Sequence, residues 1–317
     1  MLHIADVINM LPGTSIAYKG DGGIVDELFN TIPVELEAGT YTQFGREFAF
    51  RMDDPSMSRL GEAKEVDFSE AQMPFLAKPF ALKTGIAYDI ENLTPVQVNR
   101  IQQAVTGLTD SLNRWREKQG FTLVDSFTKD AVGSSWALDT SDPIKDAKTL
   151  AQKLAMPANI AVVGKRVYDR LIYHPKVVAL RANTRPGSIT RQDLASILEV
   201  DEVFVPTMKA NTAVRGRAEV LDYIWGDTFF LGHKAPTQEI GTEQITFAAL
   251  LKVQNFNLKG ANRESQVYSS SEKGTLVRVW ENEDRGFSGT AMVQVGRKYD
   301  TKQIAADLGR GLSGILA

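Results

Sequence analysis

The sequence predicts an α+β protein in which a long β-hairpin extends from a compact mixed body. Three observations lead there. Residues 40–52 and 66–90 carry strand-like patterns around a charged turn, residues 94–119 carry one long helical period, and the rest alternates short helices and strands before turning strand-rich.

Composition narrows the chemistry. The chain has 317 residues, 43% hydrophobic and 24% charged, which suits a globular protein large enough to fold without a metal or disulfide staple. Lys plus Arg (36) nearly cancels Asp plus Glu (39), leaving −3, and no basic block appears. Tight nucleic-acid binding through many phosphate contacts is therefore not expected. The cysteine count is zero, which removes disulfides, thiolate metal sites and cysteine nucleophiles together. Only His3, His174 and His233 offer imidazole. The start lacks a basic segment followed by an apolar one, and the longest apolar runs, such as Phe247 to Leu251, are too short for a bilayer. A soluble chain, made and used inside a cell, is expected.

Taken in order, residues 1–38 mix a short helix at Ile4–Leu11 with Pro12, Gly13, Gly20, Gly22, Gly23 and Pro33, and read as an arm lying on another surface. Residues 40–52 place Phe44, Phe48, Phe50 and Met52 on one face, with Gln43, Glu47 and Arg51 on the other. Asp53 to Glu65 is charged and turn-like. The return strand carries Val66, Phe68, Phe80, Leu82 and Ile86, and Pro74 and Pro79 make it irregular. Thirteen residues of strand reach about 43 Å, whereas a compact chain of this length has a radius of gyration of about 20 Å. Such a ribbon needs another surface to rest on.

The clearest element follows. Thr94-Pro95-Val96-Gln97 reads as a helix start, and Val98, Ile101, Val105, Leu108, Leu112 and Trp115 recur at spacings of three and four. Asn99, Gln103, Asp110, Arg114 and Glu117 fall opposite, and Gly120 is expected to end the run. The stripe predicts one long helix lying across a sheet. Beyond it come a helix from Pro143 to Leu154, a buried strand at Asn159–Val163, further helices ending near His174 and Leu198, and strands at 202–205, 221–224, 229–231, 245–254, 276–280 and 291–295.

No catalytic constellation stands out. Gly309-Arg310-Gly311-Leu312-Ser313-Gly314 has the glycines of a dinucleotide loop, but no helix can follow with only three residues left. Lys165 after Gly164 lacks the rest of a phosphate loop. His174 before Pro175 reads as a helix-end residue without a serine or second histidine nearby, and His233 reads as structural. Glu281, Glu283 and Asp284 do not have calcium-loop spacing. Neither cofactor nor metal is expected.

The order of arm, hairpin, long helix, α/β region and late strands resembles the tailed-bacteriophage major capsid protein family, of the Hong Kong ninety-seven fold. The stretch Gly39–Asp89 is similar to that family's extended loop, and Pro95–Gln119 to its spine helix. Pro157-Ala158-Asn159-Ile160-Ala161-Val162-Val163, Leu194-Ala195-Ser196-Ile197-Leu198, Glu202-Val203-Phe204-Val205, Asn211-Thr212-Ala213 and Ile224-Trp225-Gly226-Asp227 look like its axial domain. Gly311 to Leu316 is similar to its chain ending.

The resemblance implies an arm (1–38), an extended loop (39–89), a peripheral domain (90–140 and 252–298) and an axial domain (141–251 and 299–317). It implies a head protein, not an enzyme, that forms pentamers and hexamers in an icosahedral shell around double-stranded DNA, held non-specifically. The chain would be part of the virion and assemble in the host cytoplasm with a portal and a cement or decoration protein. With the hairpin starting near residue 40, no long leader fits, so a separate scaffolding protein is implied. Phe44, Phe48, Phe50, Phe75 and Phe80 are expected to pack partly on neighbouring copies, and Arg59, Glu62, Lys64, Glu65 and Asp67 to set register there. Lys64 lies near the loop tip, but no crosslinking partner is identifiable and that chemistry is not carried over. The same fold could serve an encapsulin-like compartment around a cargo enzyme. An α/β enzyme or ligand-binding protein would need a convergent polar pocket, for which the sequence offers no candidate.

Overall fold

The computed structural model describes residues 23–44, 52, 54–57, 65, 70–87, 95–182, 189–214, 216–236, 245–254, 266–270, 274–282, 284–285 and 289–316. Along the chain, the short helix α1 (Val25–Leu28) and β1 (Asn30–Val34) come first, then the strands β2 (Ala38–Phe44), β3 (Glu70–Leu76) and β4 (Lys78–Ala87). The 31-residue helix α2 (Pro95–Asp125) follows, about 46 Å long at 1.5 Å per residue. Next come β5 (Lys129–Ala131), α3 (Pro143–Ala151), β6 (Ile160–Val163), α4 (Lys165–Leu171), α5 (Pro175–Ala182), α6 (Arg191–Leu198) and β7 (Glu202–Phe204). The strands β8 (Lys209–Asn211), β9 (Leu221–Tyr223), β10 (Phe229–Gly232), β11 (Ala248–Val253), β12 (Gln266–Ser270), β13 (Thr275–Asn282), β14 (Thr290–Gln303) and β15 (Gly309–Ser313) complete it.

Two sheets organise the body. The larger has six strands in the order β1-β11-β14-β13-β12, with β4 also paired to β14. The smaller has five, in the order β5-β15-β10-β6-β7. Helix α2 lies on the larger sheet because Ile101, Val105 and Leu112 meet Val277, Val279, Val293 and Val295 in one buried cluster. Both faces of the smaller sheet are covered, so its central strands read as unbroken apolar runs. On one face Ala161, Val163, Phe229 and Leu231 pack on Ala147 and Leu150 of α3, Val167 and Leu171 of α4, and Leu194 and Leu198 of α6. On the other, Ile160, Val162 and Phe230 join Phe29, Val124, Phe127, Trp225 and Phe247 in the cluster that welds the two sheets together.

Three expectations change. The return strand is not one element: β3 pairs with β2, but β4, with Phe80, Leu82 and Ile86, pairs with β14 inside the larger sheet. The alternation of β4 is real, but its partner comes from over 200 residues further on, a pairing that local pattern cannot show. Helix α2 also runs through Gly120, which is buried because α1 crosses there; an added Cβ would stand 3.1 Å from the Phe29 ring and closer still to Val25. Residues 23–34 are part of the body, not a free arm, since Ile24, Val25, Leu28 and Phe29 are core residues and β1 extends the larger sheet in parallel. All of β11 and β14 belong to the larger sheet, and β5 to the smaller. The helix expected at Ile4–Leu11 lies outside the described residues.

Candidate functional site

Strands β2 and β3 form a separate two-stranded ribbon, with Ala38 opposite Leu76 at its root and Phe44 opposite Glu70 at its far end. The root is tied to the body by side chains rather than by a sheet ladder. There Glu37 pairs with Lys298 and Asp300 Oδ2 accepts the Leu76 amide at 3.1 Å, while toward the far end the Gln43 side-chain amide donates to the Ile304 carbonyl at 2.7 Å. Phe75 packs against Ile32, Val34, Ala249, Leu251 and Ile304, its ring lying where a Cβ on Gly39 would be 2.9 Å away. Burial, and then the Asp300 carboxylate, push the Tyr41 hydroxyl pKa up at the same root.

The ribbon's surroundings expose apolar side chains that the body does not cover. Leu36 is 72% exposed, Leu76 54%, Met57 59% and Met52 97%. This hydrophobic set, beside a ribbon with so little core of its own, is the candidate interaction surface.

The anticipated contact residues separate on this frame. Phe75 sits half-buried at the root, and Glu65 is exposed. Phe80 stands apart in β4, half-buried, with its ring stacked on Tyr299 and the centroids 4.7 Å apart. Phe44 ends β2, but its side chain, like Phe48, Phe50, Arg59, Glu62, Lys64 and Asp67, lies outside the described residues.

A second polar centre went unread in the sequence. Glu117, expected on the solvent side of α2, is 3% exposed and faces inward. Its Oε1 accepts from the Ile24 amide at 3.0 Å and the Trp225 indole at 2.7 Å, and its Oε2 accepts from the Val25 amide at 3.2 Å. Burial raises its carboxyl pKa, opposed by these three hydrogen bonds and by the Arg116 charge. Arg116 itself pairs with Asp26, and Lys234 caps the Glu27 carbonyl. The site therefore clasps residues 23–29 between α2 and the turn after β9. The pairing of Gly120 with a carboxylate three residues earlier was the available signal, and the apolar stripe concealed it.

His174 does have a serine beside it, contrary to the sequence reading: Ser141 Oγ lies 3.1 Å from Nε2. The Lys176 amide donates to Nδ1 at 3.3 Å, so Nε2 carries the proton and faces the Leu138 carbonyl at 3.2 Å. A base acting on Ser141 would need the opposite tautomer, and both residues are fully enclosed. The pair ties the loop before α3 to the start of α5. His233 Nδ1 bonds the Pro157 carbonyl at 2.8 Å in a similar structural role. Among the described residues no three His, Asp or Glu side chains are grouped to hold a metal, and no helix is long and apolar enough to cross a membrane.

Comparison with known proteins adds to the geometry. Residues 117–263 match the family described as phage major capsid protein E. The major capsid protein of Pseudomonas phage JBD67 is 24% identical over 227 residues, covering 68% of this chain and 73% of the relative. That of Burkholderia phage BcepMu is 23% identical over 329 residues, covering 99% of this chain and 97% of the relative. The crystal structure of a phage-related protein from Bordetella bronchiseptica superposes with a TM-score of 0.66 at 18% identity, covering 96% of each chain, a likeness of fold.

Proposed function

We propose that the chain is a phage major capsid protein of the Hong Kong ninety-seven fold, a reading supported by its likeness to the capsid proteins and structures above, and that its copies assemble as pentamers and hexamers into an icosahedral head around double-stranded DNA. The observation that carries the reading is the ribbon: it pairs with neither sheet of the body, and Leu36, Met73 and Leu76 on and beside it are exposed. These side chains gain burial only on a neighbouring copy. At about 25 cal/mol per Å² each contact can stay modest and reversible while the closed shell sums many of them.

Phe44, Phe48, Phe50 and Phe75 supply apolar area in this reading, and Arg59, Glu62, Lys64, Glu65 and Asp67 set the register of neighbouring copies. Phe80 supports β4 within the subunit. Scaffolding, portal and cement proteins are the partners such a head would meet during assembly in the host cytoplasm.

The test follows from the ladder. Phe44 and Glu70 face each other, so residues 45–69 can be replaced by an Asn-Gly turn without disturbing β4. The shortened chain is expected to be a folded, soluble subunit that forms no closed particles under negative-stain electron microscopy. Normal shells from it would overturn the role of the ribbon. Genomic DNA inside wild-type particles supports a phage head, whereas a packaged enzyme would indicate a cargo compartment.

A further inference from the structure

The acids of helix α2 are buried or paired: Glu117 is buried in the clasp, Asp110, with a side chain 14% exposed, pairs with Arg114, and the exposed Asp125 at the helix end pairs with Lys129. The ridge turned to solvent carries Arg100, Gln103, Gly107, Ser111, Arg114, Trp115, Lys118 and Thr122. At 100° per residue these positions fall within a sector of about 120°, with Arg100 and Lys118 on one line. Eighteen residues separate those two cations, about 27 Å along the axis, and no exposed carboxylate lies between them. Gly107 leaves the middle of the ridge open, since nothing stands within 4 Å of where its Cβ would be. Trp115, on the flank, is 48% exposed, which is unusual for an indole with no covering element.

We propose that this ridge is a docking surface for the sugar–phosphate backbone of double-stranded DNA, and that α2 is therefore turned toward the interior of the shell. This rests on the reading of the chain as a DNA-enclosing head protein. The length spans about three quarters of a duplex turn of about 34 Å. Arg100, Arg114 and Lys118 meet phosphates, and Gln103, Ser111 and Thr122 add neutral hydrogen bonds that carry no base sequence. Trp115 offers an indole N–H to a phosphate and an apolar edge to the sugars. Three cations per subunit, in a chain of net charge −3, give contacts weak enough to exchange during packaging and release, yet repeated on every copy.

The test uses the unassembled full-length subunit and a random-sequence duplex of about 30 base pairs, followed by fluorescence anisotropy from about 50 to 200 mM salt. The wild-type plot of log affinity against log salt is expected to have a slope of about −2.7, for three phosphates. Arg100→Gln with Lys118→Gln should flatten that slope by about 1.8, while Arg100→Lys with Lys118→Arg should keep it. Lys83→Gln with Arg278→Gln, changed on strands of the sheet rather than on the helix ridge, should leave it unchanged. The change in intrinsic fluorescence on DNA addition should vanish in Trp115→Phe. A wild-type slope in the Arg100/Lys118 double variant overturns the proposal, as does full displacement of the duplex by poly-glutamate of equal charge, which would assign the ridge to an acidic protein. Both Gln changes are at exposed positions, so unchanged circular dichroism and thermal midpoint establish that the variant is folded. Particle formation by the wild-type chain reads the parent proposal separately from duplex binding by the subunit.

Discussion

The carboxylate of Glu117 accepts the indole N–H of Trp225 at 2.7 Å, joining the middle of the long helix to the turn between β9 and β10 across more than a hundred residues of sequence. Because the same carboxylate also receives the Ile24 and Val25 amides, one buried side chain fixes three separate parts of the chain. The N-terminal segment is consequently part of the subunit's core from Ile24 onward, and whatever precedes it departs from a defined point on α2.

Removing that acceptor should be costly. Glu117→Ala leaves three buried donors without a partner and is expected to lower stability by about 3 kcal/mol or more in urea denaturation. Glu117→Gln keeps one acceptor oxygen but turns an N–H pair toward a donor, and should cost about 1–2 kcal/mol.

Two glycines of α2 should respond in opposite directions to alanine. Gly120→Ala drives a methyl group into Val25 and Phe29, and is expected to destabilise by about 1–3 kcal/mol through displacement of α1. Gly107→Ala meets open space, so the helix-propensity gain of up to about 1 kcal/mol should appear undiminished. Denaturant midpoints of the two variants, one below and one above wild type, check both.

That contrast shows what sequence could and could not carry. The stripe Ile101, Val105, Leu112 announced α2 because its period is local, and the buried runs of β6 and β10 announced the small sheet for the same reason. Glycine within a helical pattern is ambiguous: Gly120 looked like a stop because its actual reason, the crossing of α1, is encoded about 95 residues earlier. Trp115 continued the apolar spacing yet is exposed, while Arg116 and Glu117 turn inward, since the buried face follows the partners it meets rather than the period alone. β4 was taken for the hairpin's return arm because alternation reveals a strand but not its partner.

Tyr299 should add a late ionisation step to the alkaline titration of the subunit, against an opposing contribution from Arg297, whose burial lowers its pKa to about 10. Its hydroxyl donates to Gln119 Oε1 at 2.7 Å, and burial pushes its pKa up to about 12 from 10.0. A tyrosine with a raised folded pKa contributes stability that is present below pH 10 and lost as pH rises toward 12. Ultraviolet difference titration should show one tyrosine ionising near 12. Tyr299→Phe should remove that step at a cost of about 1 kcal/mol at neutral pH.

At the acid end, opposing groups set the slope of stability. Asp130 is held below its usual range first by its hydrogen bond to Lys153 and then by Arg310, and Asp142 by its hydrogen bonds to Lys176 and to the Lys145 amide that it caps. Their unfolded forms bind protons more readily than their folded forms, so the stability they contribute is present above about pH 4 and lost as pH falls through their folded values. Glu117 has the opposite sign: its raised folded pKa means its contribution is full below the unfolded value and is lost as pH rises through the folded one. Urea titrations between about pH 3 and 6 should therefore give a shallower acid loss for Asp130→Asn with Asp142→Asn, and a steeper one for Glu117→Gln. Parallel slopes in all three proteins would show that these carboxylates do not govern acid unfolding. A cap defect alone would not reproduce the pattern, because Asn at position 142 can still accept from the Lys145 amide, whereas Asp142→Ala should add a cost of about 1 kcal/mol at every pH.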